Sequence, residues 1–329
     1  MRTERFLAIG PVSDQSLRLY NFGICTLHFA AMIFTIVELA MNHDWKIPVV
    51  TSFINWKQTN TTSEEGCGEG NCYVTNDFAN FSNSTPDISM LGLVLAFHAV
   101  SFIWQFLTLF DNPVNSFYRR ERLKNRNGLR WLEYAISAPL MIVVIACVLG
   151  EVDVSVYALL AICTSVLMAF GYISEIFLVH IPESETVGLI PTRLLPNIVG
   201  WVFFLCFWSV PTFTFVVGLN RSGQKPPQDV LGYIYAIYFV MLALFGCFGV
   251  VQSVHVFSTT NCKKSKNVGR YQLIDGKTTI REKTCLDLYR YNTIEAWYSV
   301  LSLTSKVLLG VLLTFMIRTR SQTLKLEFQ

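Results

Sequence analysis

Apolar residues in this chain gather into seven long runs separated by polar stretches, with little of the short alternation that marks half-buried strands. The runs cover residues 20–41, 89–110, 131–149, 154–180, 194–218, 231–257 and 296–316. Each is long enough to cross a hydrocarbon layer of about 30 Å at about 1.5 Å per residue. Backbone in lipid must satisfy its own hydrogen bonds, and for runs of this length that means helices. The pattern predicts an all-α membrane protein, a single seven-transmembrane-helix bundle over residues 1–329. The first run predicts a retained span, because Tyr20 to Met41 exceeds the apolar core of a cleavable signal and no small-residue cleavage site follows it.

Two connections are long. Residues 42–88 hold two strand-like runs, "IPVVTSFINW" and "CYVTNDF", around a Gly/Glu-rich turn region, which fits a hairpin or an irregular loop equally. Residues 258–294 carry "CKKSKNVGR", a basic run that suits contact with anionic lipid or docking of a soluble partner. "YRRERLKNRNGLRW", before the third run, leaves the same two readings.

Charge sets the orientation. With the N-terminus in the cytoplasm, 18 of the 26 basic residues fall on inside segments and 7 outside, Lys306 being the last. Cytoplasmic loops collect Lys and Arg, so the N-terminus is expected inside and the C-terminus extracellular. The sequons at Asn60, Asn80, Asn83 and Asn220 then all lie outside, as N-glycosylation requires. They predict the plasma membrane or another secretory-pathway membrane of a eukaryotic cell. Nine cysteines are too scattered for a disulfide framework; Cys67 and Cys72 are the one pair on the oxidising side and the candidate bridge. No His pair has metal-ligand spacing, so no metal is expected. No pattern points to an enzyme or to a nucleic-acid partner.

The last run, "SVLSLTSKVLLGVLLTF", has Lys306 at its centre. A charge there costs about 3 kcal/mol or more and demands a partner. Ser302, Ser299 and Glu295 share its helix face toward the chain's N-terminal side. "RWLEYAISAPLM" places Arg130, Glu133, Ser137 and Met141 on one face of the third helix. Pairing Glu133 with Lys306 and Arg130 with Glu295 joins the same two helices twice, provided the third helix extends N-terminally through the basic stretch. His28, His98 and Glu175 predict a hydrated polar cavity in the cytoplasmic half. Tyr134, Trp201, Trp208, Phe245 and Phe248 suit an apolar, π-rich ligand and suit ordinary helix packing as well. A buried amine beside a carboxylate is the arrangement that holds an aldehyde as a charged adduct.

Together with the inward N-terminus, "RWLEYAISAPLM", "AFHAVSFIWQ" and "EAWYSVLSLTSK" resemble the heliorhodopsins, inverted seven-helix retinal proteins. The resemblance implies all-trans retinal on Lys306 and Glu133 as counterion, with Ser302 and Ser137 near the Schiff base; Tyr134 and Met141, from the helix face and aromatic set above, complete the expected Schiff-base environment. It also implies an Arg130–Glu295 salt bridge, the His28, His98 and Glu175 cavity, and a homodimer aided by residues 42–88. Sequons and the Cys67/Cys72 pair in that loop, and the length of residues 258–294, depart from the pattern, so the resemblance stops there. The implied function is light sensing in the bilayer without net transport, passed to an unidentified cytoplasmic signalling protein. A light-driven or light-gated proton transporter is the first alternative, although "IVVIACVLG" and "VLLGVLLTFM" offer it no polar outer path. A non-retinal seven-helix receptor is the second, and has no need of Lys306.

Overall fold

A computed structural model describes residues 12–41, 46–47, 52–59, 72–80, 87–181, 185–188, 190–220, 228–262 and 285–327. Residues 52–59, 72–80, 218–220, 228–229, 258–262, 285–290 and 321–327 enter through their backbone alone. Cys67, Asn60 and Asn83 lie outside the described residues; Cys72 and Asn80 bound a strand and Asn220 closes a helix, with no account of their side chains.

Eight α-helices are described: α1 (Asp14–Ala40), α2 (Met90–Leu109), α3 (Pro113–Leu123), α4 (Gly128–Val148), α5 (Val154–His180), α6 (Leu195–Asn220), α7 (Gln228–Cys262) and α8 (Cys285–Glu327). All except α3 are long and apolar enough to cross a membrane. They run alternately up and down. The proximal end holds the start of α1, α3, and the starts of α4 and α8; the distal end is opposite. Packing is mainly between successive spanning helices, α1 on α2, α2 on α4, and so on to α7 on α8, and α8 closes the ring against α1. Burial is uneven, with 67% of the membrane window of α4 and 50% of that of α8 inside the bundle against 33% or less for the other five. Those two helices carry Glu133 and Lys306.

Helix ends differ from the apolar runs because hydropathy marks a bilayer-thick slab and says nothing of polar turns beyond it. Both ends of residues 258–294 thus belong to helices, α7 continuing to Cys262 and α8 beginning at Cys285. The stretch 111–130 contains α3, started by Asn112, whose side chain accepts the Asn115 N–H at 2.9 Å, with Pro113 in the first turn. Asn125, with φ of 54°, breaks the chain before Asn127 caps α4. The third spanning helix therefore gains only residues 128–130 at its start, which suffices to bury Arg130 (5% exposed).

Pro139 sits inside α4 and cannot donate to the Ala135 carbonyl. Ser165 of α5 offers a substitute donor, its hydroxyl shared between the Ala135 oxygen at 2.9 Å and the Ala161 carbonyl of its own helix at 3.1 Å, and so partly repairs the α4 ladder from a neighbour. At the distal end β1 (Lys46–Ile47) and β4 (Ile88–Ser89) pair antiparallel at the helix mouths, and β2 (Ser52–Thr59) pairs with β3 (Cys72–Asn80) in a hairpin with a register shift between Ile54 and Trp56. A third small pair, β5 (Thr186–Val187) with β6 (Ile190–Pro191), links α5 to α6. The distal half of the core is mainly apolar, with Met90, Leu91, Val94, Ile142, Ile145, Leu309 and Leu313 all packed in one buried cluster.

Candidate functional site

Lys306 is 2% exposed and its amine folds back one turn along α8, donating to the Ser302 hydroxyl at 2.9 Å. Side chains on a helix tilt toward its N-terminus. That tilt carries the amine proximally and removes the depth mismatch with Glu133, which accepts from it through Oε1 at 2.9 Å. Ser101 of α2 joins both groups: its hydroxyl accepts from the amine and donates to the same Glu133 Oε1 at 2.6 Å. The three N–H groups of the ammonium thus have three acceptors, one each on α2, α4 and α8. Nothing in the apolar pattern singles out Ser101, although it lies three residues beyond His98 in "AFHAVSFIWQ".

A cavity, with about 810 Å³ of atom-free space when the open space at its mouth is included, runs from Lys306 between α4, α5, α6 and α7. Its walls include Tyr134, Ser137, Met141, Trp201, Phe245, Phe248 and Ser302 from the sequence reading. Trp208 is the exception: it backs the wall, edge-on to Phe245 with centroids 5.6 Å apart, and does not line the cavity. Trp131, Met168 and Phe204 line it and were not expected. Two glycines admit two of the indoles. A Cβ on Gly171 would stand 2.2 Å from the Trp131 ring, and one on Gly249 2.7 Å from Trp201. Each glycine is therefore required for the aromatic wall as it stands.

Proximal to this pair, Arg130 donates to Glu295 and to Glu175, and its guanidinium lies 4.0 Å from the Tyr298 ring centroid. Asn127 fixes both carboxylates, its backbone N–H on Glu175 Oε2 at 2.8 Å and its side-chain amide on Glu295 Oε2 at 2.9 Å. One guanidinium between two buried carboxylates is costly to desolvate and often no gain over apolar packing of the same volume. Between this group and Glu133 lies a smaller polar cavity lined by Asn21, Gln105, Thr108, Tyr118 and Ser299. Tyr118, on α3, stays neutral there, its hydroxyl pushed up to about 12 by burial and then by the Glu295 charge.

His28 and His98 do not join Glu175. Their Nδ1 atoms are 3.0 Å apart in a buried pair. The pair sits on the distal side of Lys306, beside Gly310, one turn beyond the lysine, where an added Cβ would be 3.5 Å from His98 Nε2. A single cytoplasmic cavity of His28, His98 and Glu175 is thus replaced by two separate polar sites, one on each side of Lys306. The reason is direction: α1 and α2 run oppositely, so His28 and His98 meet at mid-bundle, while Glu175 lies near the proximal end of α5.

An apolar, aromatic cavity with an amine in its wall and a carboxylate just behind that amine suits covalent capture of a long apolar aldehyde. A family model described as Heliorhodopsin matches residues 17–269, which takes in six of the spanning helices and stops short of α8. No curated protein matches the chain.

Proposed function

We propose, for a chain that belongs to the heliorhodopsin family, that Lys306 holds all-trans retinal as a protonated Schiff base with Glu133 as counterion, and that the protein senses light without net ion transport. Membership itself makes it a retinal-binding, rhodopsin-like, multi-pass membrane protein. The finer reading rests on one observation: the described spans bury a lysine in the wall of the aromatic cavity with a carboxylate 2.9 Å from its amine. The family match ends before α8, so the lysine is assigned by this geometry. The cavity fits the group, since Gly171 and Gly249 open it to two indoles and its lining is almost wholly apolar.

Retinal supplies a visible absorber whose isomerisation displaces the charged nitrogen. The protein's own part is electrostatic. Glu133 favours the protonated nitrogen, and displacement removes that support and frees the proton. Capture leaves one N–H on the nitrogen where the ammonium has three, so Glu133, Ser101 and Ser302 then compete for it. Polar groups continue proximally through the small cavity to Glu295, Glu175 and Arg130. Distally they end at the His28–His98 pair beneath the plug of Met90, Leu91, Ile145 and Leu313. A path open on one side only supports sensing over conduction.

We assign the proximal end to the cytoplasm on the distribution of basic residues, with the four sequons and the Cys67/Cys72 pair on the extracellular side of a eukaryotic secretory-pathway membrane. The β2–β3 hairpin is the element we assign to homodimer contact, and a soluble protein at the proximal end is the assigned recipient of the signal. The test is expression with all-trans retinal and an absorption spectrum. Wild type should give a visible band that Lys306→Ala abolishes and Glu133→Gln shifts to the red. Correctly folded wild type without a band would sink the retinal reading, and sustained photocurrents lost in Glu133→Gln would replace sensing with conduction.

A further inference from the structure

At the proximal rim, between the start of α1, the end of α2 and α3, lies a polar groove separate from the chromophore cavity. It spans about 230 Å³ of atom-free space counted out to its mouth, and three arginines, Arg18, Arg119 and Arg122, line it against one carboxylate, Asp14. Arg122 is 4% exposed. One of its terminal nitrogens donates to Asp14 at 3.0 Å and to Asn292 at 2.8 Å, which holds the guanidinium rigidly across α1, α3 and α8. Its Nε is buried and has no hydrogen-bond partner among the described residues, and the guanidinium lies 4.7 Å from the Tyr118 ring centroid. A buried guanidinium N–H left without an acceptor is expensive, and the charge of an oxyanion in the groove would offset part of that cost.

The other two arginines are available. Among the described residues Arg18 pairs only with Asp111, at 3.8 Å, and with side chains 50% and 91% exposed that pair is screened to little effect. Arg119 is exposed and makes no ion pair among the described residues. The surface beside the groove is lipid-like. Phe22 follows Arg18 by one turn of α1 and is 60% exposed, next to Leu19 at 72%; on the α2–α3 side Phe110 and Phe117 are 55% and 40% exposed. Cationic groups at a helix end with bulky apolar residues directly above them on the lipid-facing side match one ligand chemistry, a phosphodiester carried on acyl chains.

We infer that this groove binds the headgroup of an anionic glycerophospholipid from the proximal leaflet, with its phosphate over Arg18 and Arg119 and within reach of Arg122. Free phosphate would satisfy the arginines and leave Leu19 and Phe22 without a role. The site couples the leaflet to the bundle, because Arg122 also holds Asn292 on α8, the helix that bears Lys306.

Native mass spectrometry of the full-length protein in non-ionic detergent, titrated with phosphatidylglycerol and with phosphatidylcholine, tests this. Wild type should retain phosphatidylglycerol preferentially. R18Q/R119Q should bind it about thirtyfold more weakly, in line with the attraction of two basic side chains at a membrane surface. R18K/R119K keeps the charge, should restore most of the binding, and guards against misfolding of the neutral variant; K124Q, outside the groove, should change nothing. Equal retention of the two lipids by wild type, or unaltered retention in R18Q/R119Q, overturns the proposal. Displacement of the lipid by an equal concentration of inorganic phosphate would assign the groove to a free anion and also overturn it.

Discussion

Ser101 stands where one substitution tells most about the charge arrangement. It donates to Glu133 Oε1 at 2.6 Å and accepts from the Lys306 amine, so it stabilises the ionised carboxylate and holds it toward α8. In Ser101→Ala the carboxylate loses a charge-assisted hydrogen bond, worth about 1.5 to 3 kcal/mol. With Glu133 as the proposed counterion, its charge is then held less firmly beside the nitrogen, and the visible band should move to the red by less than in Glu133→Gln. Absorption spectra of wild type and the two variants check this, and bands of Ser101→Ala and wild type that superimpose would remove Ser101 from the proposed arrangement. Lys306, Glu133, Arg130 and Glu295 were all legible in the sequence because a charge within an apolar run is conspicuous and demands a partner. Ser101 was not. A hydroxyl within a helix can bond the carbonyl one turn back, so its presence in an apolar run carries little cost and no signal. The same limit explains Trp208 and Trp131, since an indole on a spanning helix faces a cavity, a neighbour or lipid with no change in composition. His28 and His98 were legible as buried polar residues, and their place on the distal side of Lys306 emerges only when the two helices are laid against each other.

At the scale of the element, α4 depends on α5. Pro139 leaves the Ala135 carbonyl without its helical donor, and the Ser165 hydroxyl partly takes that place at 2.9 Å. Ser165→Ala should destabilise the protein by about 1 to 2 kcal/mol, the penalty for a buried carbonyl left unpaired. Adding Pro139→Ala to that variant returns an N–H to the carbonyl and should recover most of the loss, a non-additive pair that thermal melts of the four proteins would reveal. Equal and additive losses would mean that Ser165 acts through packing alone. Seven spans could be read from hydropathy because lipid requires about 20 apolar residues in a row. Their ends could not, since Cys285 to Thr293 of α8 and Ser258 to Cys262 of α7 are helical by continuation of a ladder already nucleated. α3 escaped for the opposite reason. It is short and polar, and its buried positions, Asn115, Tyr118, Glu121 and Arg122, carry no apolar stripe.

The whole molecule adds an order that no single run contains. Which helices touch, and that α4 and α8 are the most enclosed, follows from packing among surfaces that are apolar on every side, where core and lipid faces read alike. Orientation is the molecular property most open to direct test. If the distal end is extracellular, wild type from eukaryotic cells should migrate faster on a gel after peptide N-glycosidase, and N60Q/N80Q/N83Q/N220Q should migrate at the same place with or without the enzyme. Wild type unaffected by the enzyme would withdraw the sequons from the argument for orientation. The length of α8 has a consequence of its own. At 43 residues it is an unbroken rod about 64 Å long. Asn292 is gripped by Arg122 near one end and Arg318 grips Glu38 near the other. A rod clamped at both ends transmits torque in either direction, so twist introduced at its middle strains both fastenings at once. By the reciprocity of coupled equilibria, if twist at Lys306 strains either fastening, loosening that fastening shifts Lys306 by the same coupling.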